Sequence, residues 1–195
     1  MRIFLSLFFL VFASVSLTPF PNPTELSSNP TPQFSAGKLI RPEGYRKWVY
    51  VSSGFGMSYN QSASGMPMFT NVFVIPAAYD YFVAKGKWPD KTMFVLEEYA
   101  STSHGSINKH GSYQTEFAGL DVEVKDQARF ADQWAYFTFD EMAKTASPIV
   151  PSKNDCWNCH EQNAAVEHSF VQFYPELLKI ARAKGAIKPG VRLDD

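Results

Sequence analysis

The chain has 195 residues, 45% of them hydrophobic and 15% aromatic, with a formal net charge of -1. With an export segment set aside, this is enough chain for one domain with its own core. No Lys/Arg cluster is present to track phosphates, which argues against a nucleic-acid partner. From the N-terminus, Met1-Arg2 and the apolar run Ile3 to Val15, with small residues around Ala13 to Ser16, read as a secretory signal peptide over residues 1–18. The run is short for a membrane span and is soon followed by Pro19, Pro21 and Pro23. Residues 19–39, rich in Pro, Ser, Asn and Thr, read as a disordered tether. The folded domain is expected over residues 40–186, with a tail at 187–195.

Five segments are rich in β-branched and aromatic residues and predict strands: Trp48 to Ser53, Asn71 to Ile75, Thr92 to Ala100, Tyr113 to Lys125 and Trp134 to Phe139. A helix interrupts them, opened by Pro76, with Tyr79, Phe82 and Val83 on an apolar face and Gly86 as its stop. Trp88-Pro89-Asp90 reads as a turn. Two further helices are expected, from Cys156 to about Phe173 and from Pro175 to Lys184, with Gly185 ending the second. The fold class is therefore α+β, predominantly an antiparallel sheet followed by a C-terminal helix.

That helix begins with Cys156-Trp157-Asn158-Cys159-His160, two thiols and an imidazole at the spacing that attaches one haem c covalently. The cysteines become thioethers and His160 the proximal iron ligand. A zinc site would need further Cys or His ligands at a matching spacing, and these are the only two cysteines. Covalent haem is attached outside the cytoplasm, in keeping with the export signal. No methionine follows His160, so the sixth ligand of a small electron-transfer cytochrome is missing downstream. Met57, Met66 and Met68 are loop candidates for that role, but Met is more often a packing residue. His104 and His110 lie in a polar loop, and His168 falls two turns beyond His160 on the expected helix.

The motif continues into Glu161-Gln162-Asn163-Ala164-Ala165 and Phe170-Val171-Gln172-Phe173-Tyr174-Pro175. With Tyr45-Arg46-Lys47-Trp48-Val49, Asn71-Val72-Phe73-Val74, Trp88-Pro89-Asp90-Lys91-Thr92, Gly105-Ser106-Ile107-Asn108-Lys109 and Trp134-Ala135-Tyr136-Phe137, it resembles the cytochrome P460 family from about residue 40 to 180. The resemblance implies a periplasmic, mostly β, homodimeric protein with a five-coordinate haem c. One branch of that family carries a lysine bond to the porphyrin and oxidises hydroxylamine, to nitrous oxide or nitric oxide. Its electrons pass to an external acceptor such as a small c-type cytochrome. A sister branch lacks the bond, has an apolar distal pocket and binds nitric oxide or other gases without turnover.

Two lysines are candidates for the bond. Lys91 follows the turn and opens a strand, where many relatives without the bond place a glycine; Lys109 lies in the polar loop. The catalytic proton acceptor is sought on the strand Tyr113 to Lys125, where Leu120, Val122 and Val124 alternate with Asp121, Glu123 and Lys125. Projected back, Glu116 falls on the apolar face, where desolvation would raise its pKa and suit it to accept protons. A bulge at Gly119 would reset the register and return Glu116 to water.

Overall fold

A computed structural model describes residues 29–58, 65–149 and 155–193. The signal-peptide segment and the first part of the tether lie outside the described residues. In chain order the elements are β1 (Phe34–Ser35), β2 (Lys38–Ile40), β3 (Val49–Phe55), β4 (Phe69–Val74), α1 (Pro76–Lys85), β5 (Met93–Thr102), β6 (Tyr113–Lys125), β7 (Trp134–Phe139), β8 (Thr145–Ala146), α2 (Asp155–Asn163) and α3 (Pro175–Lys184). β3 to β7 form a five-stranded sheet in sequence order, antiparallel throughout. β1, β2 and β8 form a small second sheet. This is the expected α+β architecture.

The helices start and stop where backbone chemistry allows. Proline opens both α1 and α3, its fixed φ already helical and its missing N–H not needed in the first turn. Gly86 and Gly185 end them in the left-handed region, at φ 72° and 63°. Leu177 and Ala181 give α3 one buried face at the i, i+4 spacing.

Both faces of the large sheet are covered. On one, Val95, Leu120, Val122, Val124 and Phe137 are buried, and Phe137 packs against Phe34 with ring centroids 6.1 Å apart. On the other, Phe94 meets Trp88 edge-on at 4.8 Å and Tyr174 at 6.3 Å. Trp88 stacks on Phe82 of α1 at 4.1 Å.

Three boundaries differ from the sequence expectation. The folded part begins before residue 40: Phe34 pairs with Leu39, Leu39 with Ala146, and Leu39 is fully buried. One buried leucine and an antiparallel partner order a stretch whose composition alone would leave it a tether. The tail also takes part, since Ile187, Val191 and Leu193 pack on the core and the Lys188 N–H donates to the Ala165 carbonyl at 2.8 Å. The helix of the Cys-His motif ends at Asn163 instead of running to Phe173. Beyond it the chain folds back through a bridge between Val166 and Ser169, with Glu167 at φ 50°, and only Val171–Phe173 forms a further 3-10 turn.

Candidate haem site

Cys156, Cys159 and His160 occupy i, i+3 and i+4 of α2, which places them on one side of the helix. A cavity of about 530 Å³ opens between that helix and the sheet, with Cys156 and His160 among its lining residues. Its walls are largely apolar, from Val72, Phe94, Leu96, Ile149, Phe170 and Phe173. Both size and character suit a cofactor.

The His160 ring is wedged between Tyr136 and Phe170, at centroid distances of 4.5 and 4.4 Å. Its Nδ1–H donates to the His168 carbonyl at 2.5 Å, which leaves Nε2 as the free lone pair. Burial pushes its pKa down to about 4, so the imidazole is neutral, the form that ligates a metal. The early end of α2 makes this possible, because a helix continued through residue 168 would have kept that carbonyl in its own ladder. Two thiols, a neutral imidazole with Nδ1 already engaged and an apolar cavity fit a haem c.

His168 is no ligand. Its Nε2–H faces the Glu161 carboxylate at 2.9 Å, and its Nδ1 lies 3.1 Å from the Tyr136 hydroxyl. His104 and His110 are exposed and do not line the cavity. Met57 does line it, but its sulfur lies down on the backbone of Gly54, which a larger residue would block. That is a packing role. Met66 is exposed, and neither it nor Met68 lines the cavity.

The expected lysine and carboxylate lie elsewhere. Lys91 is 41% exposed, and its ammonium pairs with Asp126 and, at 3.8 Å, with Asp90. Burial works to raise the Asp126 pKa, but the Lys91 hydrogen bond and charge, with help from Arg129, hold it below the ordinary carboxylate range. Lys91 has φ 65°, the left-handed region that glycine adopts freely. A glycine in this turn is therefore explained by backbone conformation and says nothing about haem chemistry. Lys109 is exposed, and no lysine among the described residues lines the cavity.

Glu116 is exposed and faces no pocket. The β5–β6 register shifts twice: Glu98 pairs with Gly119, Tyr99 with Phe117 and Ser101 with Gln114. Glu116 lies inside the second irregularity, so the alternation read from Leu120 does not extend to it.

The alternation itself points the other way from the expectation. Leu120, Val122 and Val124 are buried against the small-sheet side, while Asp121 and Glu123 line the cavity. Glu98, one strand over, joins them. Gly119 leaves the space this carboxylate uses, since a Cβ there would sit 3.0 Å from Glu98 Oε2. Asp121 accepts a hydrogen bond from Thr138 Oγ1 at 2.7 Å. Burial raises the Asp121 pKa, partly offset by that bond. Burial and then the charge of Asp121 raise that of Glu98. Glu123 is buried beside His160, and burial drives its pKa well above the carboxylate range. In the sequence Asp121 and Glu123 are only the polar half of an alternating strand, with no sign that a cavity covers them.

The class of protein is thus a β-sheet haem protein whose ligand helix follows the sheet. Comparison with protein families matches residues 42–171 to the family described as Cytochrome P460. The chain belongs to the cytochrome P460 family, and a haem cofactor follows from that membership. No curated protein matches the chain.

Proposed function

We propose that this is an exported haem c oxidoreductase that oxidises hydroxylamine, with the cofactor held through Cys156, Cys159 and His160. The family is one of oxidoreductases. A haem held by Cys156, Cys159 and His160 would supply an iron able to bind a small nitrogen compound and accept its electrons. The observation that carries the reading is the pair Glu98 and Asp121, two carboxylates of raised pKa in the same cavity as His160. Hydroxylamine loses protons as it loses electrons, so its oxidation needs acceptors inside the pocket, whereas reversible gas binding needs none.

Glu98 is the acceptor: two influences raise its pKa and none opposes them. Asp121, fixed by Thr138, stands beside it, and its charge helps raise the Glu98 pKa. Haem is bound by two thioethers without a lysine bond, a reading supported by the engagement of Lys91 with Asp126. Export to the periplasm, a homodimer and a small c-type cytochrome as electron acceptor complete the proposal.

Gas binding without turnover is the second reading, favoured by the absence of a lysine from the cavity lining among the described residues. Hydroxylamine added to oxidised holoprotein with an artificial acceptor separates the two. Sustained acceptor reduction supports the enzyme; a spectral change with no reduction supports the gas carrier. Intact mass of the same sample should exceed the polypeptide by one haem.

A further inference from the structure

Beside His160, in the wall of the same cavity, stands a carboxyl group with an unused oxygen. Glu123 is 9% exposed, and its Oε1 has no hydrogen-bond partner among the described residues. That oxygen lies 3.7 Å from His160 Nδ1, the atom that donates to the His168 carbonyl. The Tyr136 hydroxyl bonds the same carboxyl group, and because Oε1 is unpartnered it engages the other oxygen. Tyr136 also packs on the imidazole, with its hydroxyl 3.1 Å from His168 Nδ1.

A buried acceptor without a donor is costly, commonly about 1–3 kcal/mol. Such an orphan beside a ligand nitrogen is where an outer acceptor for a metal-bound imidazole belongs. We propose that Glu123 is a positioning residue of the proximal ligand: its unpartnered oxygen, 3.7 Å from Nδ1 and so short of a direct hydrogen bond, acts electrostatically on the His160 Nδ1–H that the His168 carbonyl already holds, steadying the ring and strengthening its donation to the iron. A carboxyl oxygen accepts in either protonation state, so the arrangement does not depend on the charge of Glu123. Tyr136 holds the carboxyl in place. The His168 carbonyl orients the ring, and the nearby carboxyl oxygen adds to the pull on the same Nδ1 proton.

The inference rests on His160 being the iron ligand, and the experiment keeps the two ideas apart. Reduced, ligand-free holoprotein is studied by resonance Raman for the iron–histidine stretch, and by redox titration, as wild type, Glu123→Gln and Glu123→Leu. Haem content is measured by mass. Wild type without covalent haem, or without an iron–histidine band, overturns the ligand assignment itself. With haem and band present, Glu123→Gln, which retains an acceptor oxygen, should keep the band at its wild-type position. Glu123→Leu should move it to lower wavenumber and raise the reduction potential. Should Glu123→Leu fail to fold, Tyr136→Phe, which frees the carboxyl to turn away, should shift the band in the same direction. An unmoved band in Glu123→Leu, or in Tyr136→Phe where that stands in for it, overturns the positioning role. Equal shifts in the Gln and Leu variants also overturn it.

Discussion

Neighbouring residues of β5, Glu97 and Glu98, point to opposite faces of one sheet and have opposite fates. Glu97, 3% exposed, is fully partnered: Tyr45 donates its hydroxyl at 2.8 Å, Arg46 its Nε at 2.9 Å and Asn71 its amide at 3.2 Å. Glu98 faces the cavity, beside a second carboxylate that repels its charge. A buried carboxylate surrounded by donors holds the fold together, whereas one left short of donors near a cofactor pocket is available for chemistry. Asp121 and Glu123, on the cavity face of the adjacent strand, extend the second kind.

This contrast can be broken from either side. The largest effect is expected from Glu98→Gln, which removes the proton acceptor and should lower kcat for hydroxylamine by roughly 10²- to 10⁴-fold while haem content and stability stay near wild type. Steady-state turnover beside a denaturation curve checks both halves. Glu97→Ala should do the reverse. It leaves Tyr45 and Asn71 without their acceptor and should cost about 2–3 kcal/mol in urea unfolding, while turnover per haem is retained. A loss of turnover in that variant would dissolve the distinction.

Lys91→Ala should matter least. The Lys91 end of its pair is exposed and Arg129 still faces the buried Asp126 carboxylate, so stability should change by only about 1 kcal/mol, and the reduced absorption spectrum should stay that of an ordinary c-type haem. A wild-type Soret band shifted far to the red, lost in Lys91→Ala, would restore the lysine bond that this geometry argues against.

Much of the fold was legible because strands here announce themselves: Tyr113 to Lys125 and Trp134 to Phe139 are found with the expected bounds. Pro76 with Gly86, and Pro175 with Gly185, likewise mark their helices from sequence. The Cys-His motif was local in sequence and is local in space. The carboxylates were not legible, because alternation gives the two faces of a strand without saying what covers each. Asp121 and Glu123 look like a wet face until the cavity is built over them. Glu116 was lost through two register shifts that one strand's own pattern does not reveal. The short strands at Phe34 and Leu39 depend on a partner more than a hundred residues away, at Ala146.

The most direct test of the account is kcat against pH for wild type and Asp121→Asn. Glu98 accepts protons only when ionised, so activity falls as pH drops through its raised pKa, and the acid limb of wild type should lie above the ordinary glutamate value. Asp121→Asn removes the negative charge that helps raise that pKa, so the limb should move to lower pH. A limb that stays in place, or moves to higher pH, would contradict the pairing of Glu98 with Asp121 as the proton-accepting site.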